Sequence, residues 1–398
     1  MSSISWQNKY FRIVCLAVLG ILAAISLVQG VKNALHFSQD LQWDAAKALL
    51  LKYDPYDISL SEKGLPVFGE DRGGMALKEF YDSFDAIGAP QKMEANQFPS
   101  LLVLLFPLCL FPWGTAKILW LFLNLCFSLG IAILLKKTFF DDWGPHAFCA
   151  LALLMVAGTP WRNQLGVGQH TLFAFFFFLL AVYLEDNPVW SGLALAVSYF
   201  KYTLTAPLAL YFLYKRKWKA FSISVAVHII LNLLMSVYTG VPIFAYIIKP
   251  LRVSSRLSGE GSIDIGALTG GAGYWVFICL GLALVLLFLA FRLPKGFERE
   301  YFSLLLLMSL VLTYHRSYDF FVLAAAAAGV AGLDRDKNPR LLFLCYGLLL
   351  LYIFFGLRLF GENNLAMGAA AVLYYGFTVF YAFYFYKRTY SNMSLIEA

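Results

Sequence analysis

The sequence predicts an all-α polytopic membrane protein, folded as a single integral-membrane domain over residues 1–398. Of the 398 residues, 60% are hydrophobic and only 14% are charged, which is not the balance of a soluble globular domain. Apolar runs recur from end to end, several of them near the ~20 residues that cross a hydrocarbon core. The net charge of +7 sits mainly in short loops, where it reports topology rather than a nucleic-acid partner.

The basic loops set the predicted topology. Lys9 and Arg12 place the N-terminus inside, and the apolar segment 11–30 is predicted to be a retained helix. Residues 31–98 then form the first outside loop, with a short interfacial helix between Asp40 and Lys52. A second long outside loop is predicted over 239–272. About twelve crossings leave both termini inside. The first is segment 11–30. The others are predicted at 116–135, 145–158, 170–184, 189–199, 203–214, 219–238, 273–292, 301–314, 318–332, 340–360 and 366–386.

Two alternatives stay open in this topology. Segment 99–112 is short and contains Pro107, so we interpret it as a broken or re-entrant segment that lines protein or a cavity. The other interpretation makes 189–214 one long helix with Lys201 at its middle. No internal repeat of the kind found in many transporters is evident.

Polar residues cluster at the ends of apolar segments that the topology brings to the outer face. Asp40 and Asp44 are four residues apart and would share one face of a helix. A carboxylate beside an apolar cavity can act as a general base, which makes Asp40 a catalytic candidate and Asp44 a substrate-binding candidate. Asp40 is also compatible with a solvated interfacial residue or a helix N-cap, and Asp44, Asp54 and Asp57 with solvated or turn residues.

Two further clusters supply cations. The stretch from Arg162 to His170 interrupts two apolar runs; its glycines allow close backbone approach and Arg162 could pair with a phosphate, although an ordinary inter-helix loop would look similar. Lys201 stands alone in an apolar neighbourhood, where an ionisable group is a functional candidate unless it snorkels to the interface.

The last cluster, His315-Arg316-Ser317-Tyr318-Asp319, places a titratable base, a fixed cation and a carboxylate between two apolar segments. His315 can exchange a proton near neutral pH, and Arg316 can hold an anionic leaving group. By contrast, His228 and Asn232, one turn apart inside an apolar segment, are predicted to be a satisfied polar pair. The six cysteines lie inside apolar segments without the spacing of a metal site or a disulfide framework.

Several of these stretches resemble glycosyltransferase family 87, the C-type integral-membrane mannosyltransferase-like proteins. The residues that carry the resemblance occur in the family's order: Gln39-Asp40-Leu41-Gln42-Trp43 before Asp54-Pro55-Tyr56, Phe98-Pro99-Ser100-Leu101-Leu102, Gly168-Gln169-His170, Lys201 to Pro207 with the basic loop at 215–219, and Tyr314-His315-Arg316 to Asp319. One departure is Ser100, where the family usually has a second proline after the aromatic residue.

The resemblance implies a C-type glycosyltransferase fold that transfers mannose or another hexose or pentose. The implied donor is a polyprenyl-phosphate sugar, and the acceptor is a lipid or an envelope glycan. In this scheme Asp40 matches the presumed base and His315 a histidine near the site. The substrate-binding residues would be Asp44, Arg162, Gln169, His170, Lys201, Arg316 and Asp319.

Because a lipid phosphate is already a good leaving group, no cofactor is expected, and no ligand cluster indicates a metal. The partners expected are the donor, the acceptor and membrane lipids. For a bacterial chain the site would face the periplasm from the inner membrane.

The alternative function is a transporter or flippase of a lipid-linked substrate. That class would place polar residues near mid-membrane and on both faces, whereas the candidates here gather at one face. A structural or assembly protein is a third class, and it would tolerate loss of Asp40.

Overall fold

A computed structural model describes residues 9–52, 55–56, 95–257, 263–269, 274–333, 339–360 and 364–396. Within these residues the chain is helical and contains no strand. Asp54, Asp57 and most of the predicted first outside loop lie outside the described residues.

Most helices are short, and several follow one another with a break of only a few residues. In chain order they are α1 (Lys9–His36), α2 (Trp43–Leu50), α3 (Pro99–Cys109), α4 (Trp113–Thr138), α5 (Pro145–Ala157), α6 (Thr159–Val167), α7 (Thr171–Tyr183), α8 (Pro188–Ser198), α9 (Tyr202–Leu208), α10 (Leu210–Tyr214), α11 (Trp218–Thr239), α12 (Ile243–Leu257), α13 (Ile265–Leu268), α14 (Trp275–Arg292), α15 (Glu298–Leu312), α16 (Ser317–Gly332), α17 (Pro339–Leu351), α18 (Leu357–Phe360) and α19 (Asn364–Ile396).

Six segments of the described chain are long and apolar enough to cross a membrane, and each was among the predicted crossings. They are Lys9–His36, Trp113–Thr138, Trp218–Thr239, Trp275–Arg292, Leu341–Phe360 and Leu365–Tyr390. Their outer surfaces are apolar: Val28, Val237 and Phe277 are 68%, 84% and 74% exposed. An apolar surface of this extent is typical of contact with lipid. The protein is therefore a polytopic membrane protein.

The other predicted crossings coincide with shorter helices, so the count of twelve stays a prediction. Helices α6 and α7 form one bent unit, with 107° between their axes. The run from Pro188 to Tyr214 is helical but is interrupted by a 3-10 turn at Tyr199–Lys201. This arrangement is intermediate between the two predicted alternatives, which were separate crossings at 189–199 and 203–214 or one long helix over 189–214. Helix α3, at 1.5 Å per residue, is about 16 Å long and too short to cross a membrane.

Most of the basic loops meet at one end of the helices, as the predicted topology requires. Arg299 donates to the carboxylate of Asp142 at 2.8 Å, Arg216 to the Phe291 carbonyl at 2.8 Å, and Arg388 to Glu300 at 2.5 Å. Glu300 lies in the first turn of α15, whereas Thr313, just past the other end of α15, contacts His315. The basic loops and the His315 cluster therefore lie on opposite faces.

Ser100 ties the short helix α3 to the long helix α11. Its backbone N–H donates to Asn232 Oδ1 at 3.1 Å, and its hydroxyl lies 3.0 Å from His228 Nδ1. The other ring nitrogen of His228 lies 2.8 Å from the Ala196 carbonyl. Both polar residues of α11 are thus satisfied, as the sequence predicted. A proline at 100 has no N–H to donate, so the departure from the family pattern supplies these contacts.

Helix α12 occupies part of 239–272, where the sequence predicted a loop. Its sequence is amphipathic, with Phe244, Ile248 and Leu251 exposed on one side and Tyr246 and Val253 buried on the other. This surface is typical of a helix that lies along a membrane interface.

Candidate functional site

A cavity opens where three of the helix breaks meet: between α6 and α7, between α8 and α9, and just before α16. Most residues of its wall have polar side chains, because helix ends leave polar groups free of the apolar packing. The cavity is lined by Asp40, Gln42, Asn96, Gln97, Gln169, Phe200, Lys201, Tyr202, Thr203, Tyr314, Arg316 and Tyr318.

The end of α6 holds Asp40 in this wall. Helix α6 ends in Gly168, whose φ of 71° is the left-handed conformation that glycine adopts without strain. The last carbonyls of α6 accept hydrogen bonds from the incoming chain, Val167 from the Asp40 N–H at 2.8 Å and Gly166 from the Ser38 N–H at 3.3 Å. A Cβ at 168 would lie 3.1 Å from Ser38 Cα. The sequence predicted that the glycines allow close backbone approach. At Gly168 this approach brings Asp40 to the break between α6 and α7.

Asp40 is 5% exposed, and burial raises the pKa of its carboxyl from 3.8 to about 6. The positive charges of Lys201 and Arg316 and a hydrogen bond with Tyr318 oppose this rise. A carboxyl with such a pKa is ionised at neutral pH yet basic enough to accept a proton, which is the property of a general base.

Gln169 orients the carboxylate. Its amide nitrogen donates to Asp40 Oδ2 at 3.3 Å and to the Tyr318 hydroxyl at 2.9 Å. Its amide oxygen accepts from the His170 backbone N–H at 2.9 Å, so the amide has one orientation. The His170 ring packs against Phe200, with ring centroids 4.4 Å apart.

Behind the cavity wall, Asp319 joins three helices. It is fully buried, and its Oδ2 contacts Lys201 Nζ at 3.2 Å and His315 Nδ1 at 2.9 Å. The Thr171 hydroxyl donates to its other oxygen. The second ring nitrogen of His315 lies 3.1 Å from the Thr313 hydroxyl. This buried network fixes Lys201 in the wall and pairs its charge with that of Asp319.

Arg316 is the exposed cation of the cavity. It precedes α16, lines the cavity and donates to the Tyr314 hydroxyl. Because its guanidinium forms no ion pair among the described carboxylates, it is available for an anionic ligand. The cavity thus contains an ionisable carboxylate and an accessible arginine.

Comparison with known proteins decides the family. The sequence model of glycosyltransferase family 87 matches residues 99–351, more than half of the chain. The protein belongs to glycosyltransferase family 87. It is therefore a membrane glycosyltransferase that acts on sugar donor and acceptor substrates. No curated protein and no solved structure matches the chain.

The family 87 match covers most of the site but not all of it. It includes Gln169, Lys201 and Arg316, whereas Asp40 and Gln42 precede the matched residues. The role of Asp40 therefore rests on the geometry of this chain and stays a prediction. No group of three His, Cys, Asp or Glu side chains that could hold a metal occurs in the described parts of this glycosyltransferase, and the expectation that it needs no metal also stays a prediction.

The structure brings four of the candidate residues into the cavity wall and leaves the others outside it. Asp40, Gln169, Lys201 and Arg316 line the cavity. His315 and Asp319 lie behind the wall in the buried network, and His170 packs beside it. His315, Asp319 and His170 are therefore placed to support the cavity wall rather than to contact the substrate.

Arg162 and Asp44 lie apart from the cavity of this family 87 member. Arg162 donates to Gln29 at 3.0 Å and to Asn163, where α6 packs against α1. Asp44 is in the first turn of α2. Because α2 begins at Trp43 and its N-cap is Gln42, Asp40 precedes the helix. The two aspartates therefore do not share a helix face, and Asp40 does not cap α2.

Sequence reasoning missed several residues of the wall, among them Gln42, Gln97, Thr203 and Tyr318. All are uncharged polar residues at segment ends, a position where such residues are common for many reasons. A signal was available from the family resemblance: Gln42, Thr203 and Tyr318 lie inside the stretches that carry it, and Gln97 directly precedes one.

Proposed function

We propose that the protein transfers a sugar, mannose or another hexose or pentose, from a polyprenyl-phosphate donor to a lipid or envelope-glycan acceptor. The reaction takes place at the outer face of the membrane, which is the periplasmic face of the inner membrane in a bacterium. The observation that carries the proposal is one cavity in which the carboxylate of Asp40 and the guanidinium of Arg316 are both accessible. The cavity lies at the end of α15 opposite the basic loops.

The chemistry follows from these two groups. Asp40 accepts the proton of an acceptor hydroxyl while the hydroxyl oxygen forms a bond to the anomeric carbon. The bond between that carbon and the phosphate oxygen breaks with its electron pair, so the lipid phosphodiester leaves as a phosphate monoester with an additional negative charge. Arg316, with Lys201 beside it, stabilises that charge.

A lipid-linked donor suits the position of the cavity. The outer surface of the protein is apolar along α1, α11 and α14, so a prenyl chain can stay in lipid while its phosphate reaches Arg316. The wall contains one carboxylate among the described residues. A single displacement with Asp40 as base therefore fits better than a double displacement, which needs a carboxylate nucleophile as well as an acid–base group.

Sugar transfer by the purified protein tests the proposal. Protein in nanodiscs is given polyprenyl-phosphate-mannose, or a panel of polyprenyl-phosphate hexoses and pentoses, with a membrane lipid extract as acceptor. We expect a glycosylated lipid whose anomeric configuration, read by NMR, is inverted relative to the donor. Retention of configuration would contradict Asp40 as a simple base. Movement of labelled donor across the bilayer without transfer from any donor would favour the transporter.

The acid limb of the pH profile is a second prediction. Because Asp40 must be ionised to accept a proton and its pKa is about 6, kcat/KM should fall about tenfold per pH unit below that value and level off above it. The profile of kcat/KM for the donor over about pH 4.5 to 8 checks this expectation. A rate that stays constant down to about pH 5 would contradict the role of Asp40 as base.

A further inference from the structure

Buried oxygen atoms without hydrogen-bond partners gather in the wall of the cavity. Among the described residues, six buried side-chain polar atoms have no partner. Three of them, Gln42 Oε1, Gln97 Oε1 and Thr203 Oγ1, belong to residues that line this one cavity. A buried polar group without a partner destabilises the folded protein, because it has lost its hydrogen bond to water. Such a cluster therefore indicates atoms whose partner arrives with a ligand.

The three oxygens come from separate parts of the chain and are held in place. Gln42 is the N-cap residue of α2, Gln97 precedes α3, and Thr203 lies in the first turn of α9. Gln42 and Gln97 are only 6% and 5% exposed. The Gln97 carbonyl accepts a hydrogen bond from the Tyr56 hydroxyl at 2.7 Å, which anchors this residue beside the cavity.

The chemistry of this part of the wall selects hydrogen-bond donors. Amide oxygens accept hydrogen bonds, a threonine hydroxyl accepts and donates, and the nearby Asp40 carboxylate repels an anion. The same wall also contains the cations Arg316 and Lys201. It therefore combines positive charge with hydrogen-bond acceptors, which suits a ligand that joins a phosphate to several hydroxyl groups.

We infer that Gln42, Gln97 and Thr203 form a subsite for the hydroxyl groups of a neutral sugar. The inference rests on the proposed function, because it assigns to this subsite the sugar that Asp40 and Arg316 would act on. A neutral sugar satisfies the three oxygens with its hydroxyl protons, whereas a carboxylate-bearing sugar meets the charge of Asp40. The sugar of the donor and a sugar acceptor both carry such hydroxyl groups, and the binding experiment below distinguishes the two.

Equilibrium binding to the full-length protein in nanodiscs tests the subsite. The probes are farnesyl phosphate, farnesyl-phosphate-mannose and the soluble methyl mannoside. The variants are Gln42→Leu, Gln97→Leu and Thr203→Val, each of which removes one polar group at nearly constant size. Thr138→Val and Thr378→Val are the matched controls, since Thr138 lies at the end of α4 and Thr378 on α19, both outside the cavity.

For a donor subsite we expect farnesyl-phosphate-mannose to bind the wild type more tightly than farnesyl phosphate. Each cavity variant should weaken the sugar-bearing probe about three- to tenfold, the size of one lost hydrogen bond. Farnesyl phosphate should bind all variants equally, which also shows that they are folded. For an acceptor subsite the same loss would appear with methyl mannoside only.

The inference is overturned if the three variants bind every probe as the wild type and the controls do. A wild type that does not bind farnesyl phosphate or its mannosyl derivative would contradict the proposed donor class instead. In that case methyl mannoside still decides the subsite, because its binding does not depend on a phosphate.

Discussion

The Asp40→Asn variant is expected to lose sugar transfer by about 10²- to 10⁴-fold, the usual contribution of a general base. Asparagine keeps the size of the side chain and an oxygen that can accept from Gln169, so the cavity should keep its shape. It cannot accept the proton of the acceptor hydroxyl. The measurement is the initial rate of sugar transfer in nanodiscs. The control is Asp186→Asn, which removes an exposed carboxylate on the opposite face, where Asp186 contacts Lys217.

The same variant should be more stable than the wild type at neutral pH. A carboxyl whose pKa rises from 3.8 unfolded to about 6 folded binds more protons in the folded state between these values, so stability falls as pH rises through this window. Above it the ionised Asp40 costs about 3 kcal/mol, and asparagine removes that cost. We expect a higher Tm at pH 7 and little gain below about pH 4. An inactive variant with a lower Tm at pH 7 would show that Asp40 acts through structure.

Charge and hydropathy predicted the parts of this protein that membranes constrain most strongly. An ionisable residue beside a hydrocarbon core is costly unless it has a function or a partner. That rule pointed to Asp40, Lys201 and Arg316, and the cavity contains all three. The six longest apolar spans were predicted for the same reason, since few other structures accommodate an apolar run of that length.

The helix breaks could not be predicted in the same way. The 3-10 turn at Tyr199–Lys201 and the 107° bend between α6 and α7 depend on contacts between segments distant in sequence. The start of α2 at Trp43, which separates Asp40 from Asp44, is a difference of a few residues in a helix boundary, and sequence patterns do not resolve it. Helix α12 was missed although its apolar residues recur at helical spacing, because 239–272 was interpreted as one long outside loop.

The second large effect is expected at Asp319. This carboxylate is buried like that of Asp40, but it forms close ion pairs with Lys201 and His315. The Asp319→Asn variant removes the partner of Lys201 and leaves a mostly buried cation next to an amide. Loss of one member of a buried ion pair destabilises a protein by about 3–5 kcal/mol. We therefore expect a clear fall in Tm, whereas the same change at position 40 raises it. Lys201→Met combined with Asp319→Asn should recover part of the loss, since neither charge then remains unpaired.

The pH profile separates the electrostatic role of this pair from a merely structural one. The charge of Lys201 lowers the pKa of Asp40, and the charge of Asp319 raises it. Asp319→Asn should therefore move the acid limb of kcat/KM to lower pH, and Lys201→Met should move it to higher pH. A structural role alone would lower the rate in both variants without moving the limb. Opposite shifts would identify Asp40 as the titrating base and the Lys201–Asp319 pair as the groups that set its pKa.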